Sequence, residues 1–82
     1  MKLTITKSAQ KELDKIPDKL ALHISNKIYE IGNNPYLHGY QKLGGGKGYR
    51  VRIGDYRVVY TVDQERKIVN IIKIRHRKEV YR

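Results

Sequence analysis

Cysteine is absent from this chain of 82 residues. The chain therefore forms no disulfide and offers no thiolate as a nucleophile or a metal ligand. Histidine and carboxylate side chains show no HExxH motif or similar ligand spacing, so we expect no metal and no cofactor. No apolar run approaches the length of a membrane span, and the N-terminal MKLTITKSAQ lacks the apolar core of a signal peptide. We expect a cytoplasmic protein with no membrane partner.

Acidic residues are scarce, because 8 Asp and Glu stand against 18 Lys and Arg and leave a formal charge of +10. A field of this sign attracts polyanions over long range and predicts binding that weakens with salt. Nucleic acid, including ribosomal RNA, is the expected partner. An acidic protein partner, or a basic surface with no specific ligand, is the alternative.

The N-terminal quarter of the chain predicts a strand followed by a helix. Residues 2–6, KLTIT, alternate polar and apolar side chains, as a strand does. From Ser8 the apolar residues recur at helical spacing, and Thr6 or Ser8 can cap this helix. Pro17 ends it. The apolar face of the helix consists of Ala9, Leu13 and Ile16.

A second helix is predicted after this proline, with Asp18 as its N-cap. Gly32 has the position of a C′ glycine, and the following Asn33-Asn34-Pro35 prevents continuation. The apolar stripe of this helix is formed by Leu20, Ile24, Ile28 and Ile31. Two helices joined at a proline predict a helical hairpin.

Residues 33–48, NNPYLHGYQKLGGGKG, predict a long connection. Its GGGKG run lacks the GxxxxGK[ST] register and a following helix, which excludes a P-loop. The glycines favour a mobile basic loop beside the sheet, in which Lys42 and Lys47 are candidates for RNA binding.

Three strands are predicted in the remainder of the chain, at 49–53, 56–62 and 67–75. The order β-α-α-β-β-β predicts a single α+β domain over residues 1–82. In this fold the helical hairpin packs on one face of a small, mainly antiparallel sheet.

The segment YRVRIGDYRVVY, residues 49–60, predicts a hairpin with a two-residue turn at Gly54-Asp55. This turn pairs Arg52 with Arg57 and places both on the same face as Arg50. The tyrosine and valine residues between them lie on the other, apolar face.

Alternation in the last predicted strand places its side chains on these two faces. Ile68, Ile72 and Ile74 suit the apolar face. The arginine side receives Val69, Ile71, Lys73 and Arg75, so that Arg57 lies near Lys73 or Arg75. We call Arg50, Arg52, Arg57, Lys73 and Arg75 the arginine face.

Like charges that oppose each other destabilise a sheet, so their clustering on the arginine face indicates a binding role. Guanidinium groups match phosphate oxygens in a bidentate geometry. RNA also supplies its own nucleophile, since a 2′-hydroxyl can attack the adjoining phosphate. This reaction requires an acceptor for the hydroxyl proton, an acid for the departing 5′-oxygen and cations for the developing charge.

The C-terminal IRHRKEVYR supplies candidate proton-transfer groups, since arginine rarely exchanges protons. His76 and Tyr81 are of the appropriate chemical type. Each also has a structural alternative: a histidine at a strand end is commonly structural, and Tyr81 could anchor the chain terminus.

The KLGGG segment at 42–46, YRVRIGDYRVVY and the terminal HRKEVY resemble the RelE/ParE superfamily of type II toxin–antitoxin toxins. The resemblance covers nearly the whole chain, and the RelE-like subfamily is favoured. RelE-type toxins enter the ribosomal A site and cut mRNA there through the 2′-hydroxyl route. The resemblance implies the same metal-independent endoribonuclease activity here.

The resemblance also implies roles for individual residues. Arg57 and a tail arginine, either Arg75 or Arg77, would stabilise the phosphate charge. Arg52, Tyr81 and His76 are the candidates for proton transfer. The family often has lysine at the positions of Arg50 and Arg52, and the arginines found here favour Tyr81 or His76 for this role. The residues expected to hold RNA are Arg50, Arg52, Lys73, Lys47 and Lys42.

An acidic antitoxin, RelB-like or of another type II family, is implied as partner, and the pair would bind operator DNA through the antitoxin. The ribosome with mRNA in its A site is the implied target. Two alternatives stay open. ParE-type relatives share the fold but poison DNA gyrase, and a non-catalytic relative would only bind RNA or antitoxin.

Overall fold

The computed structural model describes residues 1–36 and 39–76. Two helices pack against a five-stranded, mostly antiparallel sheet, which confirms the predicted α+β class. The elements are β1 Lys2–Ile5, α1 Lys7–Asp14, α2 Asp18–Asn33, β2 Tyr40–Lys42, β3 Tyr49–Ile53, β4 Tyr56–Asp63 and β5 Ile68–His76.

The sheet has the strand order β1-β5-β4-β3-β2. β1 pairs in parallel with β5, with Leu3 opposite Val69. The pairings of β5 with β4, β4 with β3 and β3 with β2 are antiparallel. A parallel pair requires a crossover connection, and the α1–α2 hairpin lies in that crossover. The strands β3, β4 and β5 therefore form one continuous antiparallel surface.

The first helix begins as predicted, because the Thr6 hydroxyl accepts a hydrogen bond from the Ala9 amide at 3.2 Å. The second helix differs from the prediction at both ends. Pro17 occupies the N-cap position and provides no side-chain capping hydrogen bond, and Asp18 is the first helical residue. A carboxylate in the first turn still interacts favourably with the helix dipole.

Gly32 lies within α2, so its assignment as a C′ glycine is wrong. A Cβ atom at this position would come within 3.4 Å of the Leu3 side chain. The glycine therefore lets α2 approach β1 closely, whereas the helix end is formed by Asn34 in an extended conformation.

The predicted long connection contains a strand that the sequence did not indicate. β2 pairs with β3, placing Gln41 opposite Arg50 and Lys42 opposite Tyr49, and a short 3₁₀ turn at Gly44–Gly46 follows. The loop closes through a hydrogen bond from the Leu43 amide to the Gly48 carbonyl, 2.8 Å long. Gly48 has φ +107°, and a Cβ atom there would lie 2.5 Å from the Tyr60 carbonyl oxygen.

A β-bulge in β5 makes the faces predicted for the first half of this strand wrong. The register shifts between Val59 and Tyr60, since Val59 pairs with Lys73 but Tyr60 pairs with Ile71. Ile72 is the extra residue, and one extra residue reverses the alternation on its N-terminal side. Val69 and Ile71 are consequently fully buried in the core, whereas Ile68 and Ile72 are half-buried and lie outside it.

The core lies between the helical hairpin and one face of the sheet. Helix residues contribute Ala9, Ile16, Ile24, Ile28 and Ile31. The sheet contributes Ile53, Val58, Tyr60, Val69, Ile71 and Ile74. The helices cover this face, and none of the described helices packs on the opposite face of β3, β4 and β5. In the described part of the chain, no helix has both the length and the apolar character needed to span a membrane.

Candidate nucleic-acid interface

Three arginines lie in one row across the centre of the sheet. Arg52 in β3 pairs directly with Arg57 in β4, and Arg57 pairs directly with Arg75 in β5. Neighbouring strands are roughly 5 Å apart, so the backbone positions of the row span about 10 Å. Arg57 is half-buried between two exposed neighbours. The row is a preformed concentration of positive charge.

A second row lies beside the first and adds Arg50 and Lys73, which flank Val59. The Arg50 guanidinium donates from Nε and Nη2 to Gln41 Oε1, at 2.9 and 2.6 Å. Gln41 in β2 thus fixes the orientation of Arg50. Arg52 is oriented by a hydrogen bond from its Nε to the Gly54 carbonyl, 3.2 Å long.

A pocket of about 150 Å³ opens where the two rows meet. Gly39, Gln41, Arg50, Arg52 and Arg57 line it. Three guanidinium groups around one concavity can contact the oxygens of a phosphate, and the bidentate geometry of each group suits those oxygens.

Three of the described carboxylates form ion pairs with cations outside the arginine face. Lys15 pairs with Glu12 at 3.6 Å, Lys27 with Glu30 at 3.3 Å and Arg66 with Asp63 at 3.9 Å. These exposed i,i+3 pairs contribute little to stability. They place Glu12, Glu30 and Asp63 beside cations that do not belong to the arginine face.

The predicted arginine face is therefore assembled in the structure, from Arg50, Arg52, Arg57, Lys73 and Arg75. Lys42 is not part of it, because its register partner Tyr49 belongs to the opposite face. Lys47 is exposed and follows the 3₁₀ turn. Arg77 and Tyr81 lie outside the described residues.

His76, the last described residue, lies on the face opposite the arginines. It pairs with Tyr56, and the two rings meet edge to face with centroids 4.9 Å apart. Its sequence neighbour Arg75 points the other way by strand alternation. A role for His76 in proton transfer at the arginine face stays a prediction that this placement does not favour.

A tyrosine cluster on the helix-covered side was missed by the sequence reasoning. Its members are Tyr36, Tyr40, Tyr49 and Tyr60. Burial, with the neighbouring tyrosines as a further cause, raises the pKa of Tyr60 to about 12. Burial also raises the pKa of Tyr49, with a hydrogen bond to Tyr36 and the neighbouring Tyr36 and Tyr40 as further causes. The predicted hairpin register already pairs Tyr49 with Tyr60. The sequence did not indicate the β2–β3 pairing that brings Tyr40 beside them, nor the position of Tyr36.

Comparison with protein families gives a match to the ParE toxin of the type II toxin–antitoxin system parDE, over residues 3–81. Toxin RelE of Mycobacterium tuberculosis (strain ATCC 25618 / H37Rv) is 34% identical over 82 residues, a match covering 98% of this chain and 84% of that protein.

Solved structures of related toxins share the fold. The archaeal RelE–RelB complex from Pyrococcus horikoshii OT3 superposes with a TM-score of 0.82 at 28% identity, covering 93% of each chain. The isolated E. coli RelE toxin gives a TM-score of 0.80 at 26% identity, covering 98% of this chain and 89% of the other.

Proposed function

Because this chain belongs to the RelE/ParE superfamily of type II toxin–antitoxin toxins, we propose that it is a ribosome-dependent endoribonuclease that cuts mRNA in the A site. The observation that carries the proposal is the Arg52–Arg57–Arg75 row, three directly paired arginines on the face of the sheet opposite the helices. Opposed like charges destabilise the free protein, and an RNA phosphate relieves that repulsion.

The proposed reaction forms a bond between the 2′-oxygen and phosphorus and breaks the bond between phosphorus and the 5′-oxygen. The products are a 2′,3′-cyclic phosphate and a new 5′-hydroxyl. Arg57 lies at the centre of the row and would contact the phosphate as negative charge accumulates on its oxygens. Preorganised cations lower the barrier most when they match the charge of the transition state. Arg52 and Arg75 would flank that charge, and Arg77 is a further candidate.

The second row, Arg50 and Lys73, would position the RNA. Gln41 already holds the Arg50 guanidinium, so little side-chain freedom is lost when Arg50 binds a backbone phosphate. Lys73 would neutralise a neighbouring phosphate. The ribosome would supply the remaining alignment, since an attacking 2′-hydroxyl must lie in line with the departing 5′-oxygen.

Proton transfer needs a group other than a guanidinium, because arginine donates hydrogen bonds but does not readily exchange protons. We propose Tyr81 for one of the two proton steps. His76 packs against Tyr56 on the opposite face, which makes Tyr81 the better candidate.

The proposed partner in the resting state is an acidic antitoxin, in keeping with the RelE–RelB complex of Pyrococcus horikoshii. A charge of +10 favours rapid association with an acidic chain and with the ribosome alike. The toxin–antitoxin pair would bind operator DNA through the antitoxin, and both would act in the cytoplasm.

Inhibition of DNA gyrase is the second candidate function, because the family that matches residues 3–81 is described as the ParE toxin. In that case the arginine face would be a docking surface, with no reaction at its centre.

Mapping of mRNA 5′ ends with the purified chain distinguishes these functions. The nuclease proposal predicts new ends with 5′-hydroxyl groups inside the A-site codon, only when ribosomes are present. Intact mRNA together with inhibited gyrase supercoiling in a parallel reaction would support the second candidate. Cuts in naked mRNA at the same rate would contradict the dependence on the ribosome.

A further inference from the structure

The tyrosine cluster extends from the core to the surface beside the edge strand β2. Tyr60 is 1% exposed and stacks on Tyr49, with ring centroids 5.6 Å apart. Tyr49 in turn contacts Tyr36 and Tyr40, each at 5.7 Å. The last two rings are 39% and 38% exposed. Two aromatic rings are thus presented to solvent on a buried aromatic support.

Hydrogen bonds hold Tyr36, one of the two exposed tyrosines, in place. The Tyr60 hydroxyl donates to the Pro35 carbonyl at 2.5 Å, which fixes the backbone just before Tyr36. The Tyr36 amide donates to Asn34 Oδ1 at 3.2 Å, and Gln64 donates to the Tyr36 hydroxyl. A ring that is already fixed loses little entropy when a ligand stacks on it.

Positive charge lies next to these rings. Lys42 is on the same strand face as Tyr40, two residues further along β2, and is paired with Tyr49. Lys42 and Tyr49 also line a hollow of about 160 Å³, together with Gly48 and Thr61. An aromatic surface with a cation beside it suits an unpaired base with its attached phosphate.

The position of β2 connects this surface to the arginine face. β2 is the outermost strand, and all three of its residues are exposed. Gln41 holds Arg50 on one face, while Tyr40 and Lys42 lie on the other. A single strand of RNA can therefore pass around this edge and contact both faces.

We propose that Tyr36, Tyr40 and Lys42 form a second RNA-binding site, in which an unpaired base stacks on the tyrosines and its phosphate contacts Lys42. The hydrogen-bonded ring of Tyr36 in contact with Tyr40, the adjacent positive charge and the continuity with the arginine face favour single-stranded RNA over a protein segment. The site extends the proposed function, and it rests on that proposal only in taking RNA as the target.

Fluorescence anisotropy of a labelled single-stranded oligouridylate, without ribosomes, tests this site directly. Loss of one stacked base weakens binding by about tenfold, so Tyr40→Leu is expected to show that loss. Tyr40→Phe retains the ring and is expected to bind as the unaltered protein does. Tyr29→Leu, on an exposed tyrosine of α2 outside the cluster, is the matched control and should bind normally.

Equal affinities of Tyr40→Leu and the unaltered chain would overturn the site, as would a Tyr40→Phe variant as weak as Tyr40→Leu. If Tyr40→Leu bound an acidic antitoxin more weakly but bound the oligouridylate normally, the surface would be a protein contact and the proposed RNA site would be overturned. The result is separable from the nuclease proposal. If ribosome-bound mRNA stays uncut while Tyr40→Leu loses RNA affinity, the second site stands and the nuclease fails.

Discussion

Arg57 and Arg75 occupy directly opposed positions on β4 and β5, with Arg52 opposed to Arg57 on its other side. Such a pairing of like charges costs stability in the free protein. The same charges favour the binding of an anion. The row therefore lowers the stability of the free protein and serves phosphate binding.

Replacing Arg75 should therefore raise the stability of the free protein and weaken its phosphate binding. For Arg75→Gln we expect a gain of about 0.5 kcal/mol in the free energy of unfolding, because one like-charge contact is removed. Urea unfolding measures this gain. The gain should shrink as salt is added, since salt screens repulsion between partly exposed charges. A variant less stable than the unaltered protein at low salt would contradict the expected repulsion.

Gly48→Ala tests the loop that joins β2 to β3. A Cβ at φ +107° would lie 2.5 Å from the Tyr60 carbonyl oxygen, so backbone must move. Strain of this kind costs roughly 1–3 kcal/mol, to be measured as a loss in the free energy of unfolding. Gly44→Ala is the matched control, since a Cβ added there would have no atom within 4 Å and its φ is not positive. Equal stabilities of the two variants would show that Gly48 is not constrained.

Tyr60 should ionise above the ordinary pKa range of a phenol. Its pKa is raised to about 12 by burial, so its neutral form is favoured in the folded state. The stabilising contribution is complete below pH 10, the ordinary value for the phenol, and is lost as pH rises through about 12. Tyrosinate absorbance followed against pH should show a step near pH 12 whose amplitude falls by one tyrosine in Tyr60→Phe. An unchanged amplitude of that step in Tyr60→Phe would assign it to another group.

Tyr81→Phe separates the proposed proton transfer by the phenol from packing of its ring, since only the hydroxyl is lost. We expect cutting of mRNA on ribosomes to fall by about 10²-fold or more, with antitoxin binding unchanged. Single-turnover cleavage and an antitoxin titration provide the two measurements. Undiminished cleavage would remove Tyr81 from the proton steps.

The sequence predicted the β3–β4 hairpin residue by residue, because its two-residue turn leaves one register. That register is sufficient to place Arg50, Arg52 and Arg57 on one face of the sheet. Regular alternation also placed Lys73 and Arg75 correctly, since both lie beyond the bulge on its C-terminal side.

The bulge itself was not predictable from alternation. The segment IVNIIKIRH carries apolar residues at both parities, so either face could have been buried. Burial of Val69 and Ile71 is decided by contact with the helices and β1. The strand β2 was missed for a related reason. Its three residues, YQK, form a strand by pairing with β3. The Gln41–Arg50 contact and the place of Tyr40 in the tyrosine cluster were missed with it.

The central claim is that Arg57 acts on the scissile phosphate of ribosome-bound mRNA. The most direct test compares cleavage rates of Arg57→Ala and Arg66→Ala on programmed ribosomes. Both variants lose one positive charge, but Arg66 lies in the β4–β5 turn beside Asp63. We predict a loss of about 10²–10³-fold for Arg57→Ala in a folded protein and a rate close to that of the unaltered chain for Arg66→Ala. Equal rates for the two variants would contradict the account.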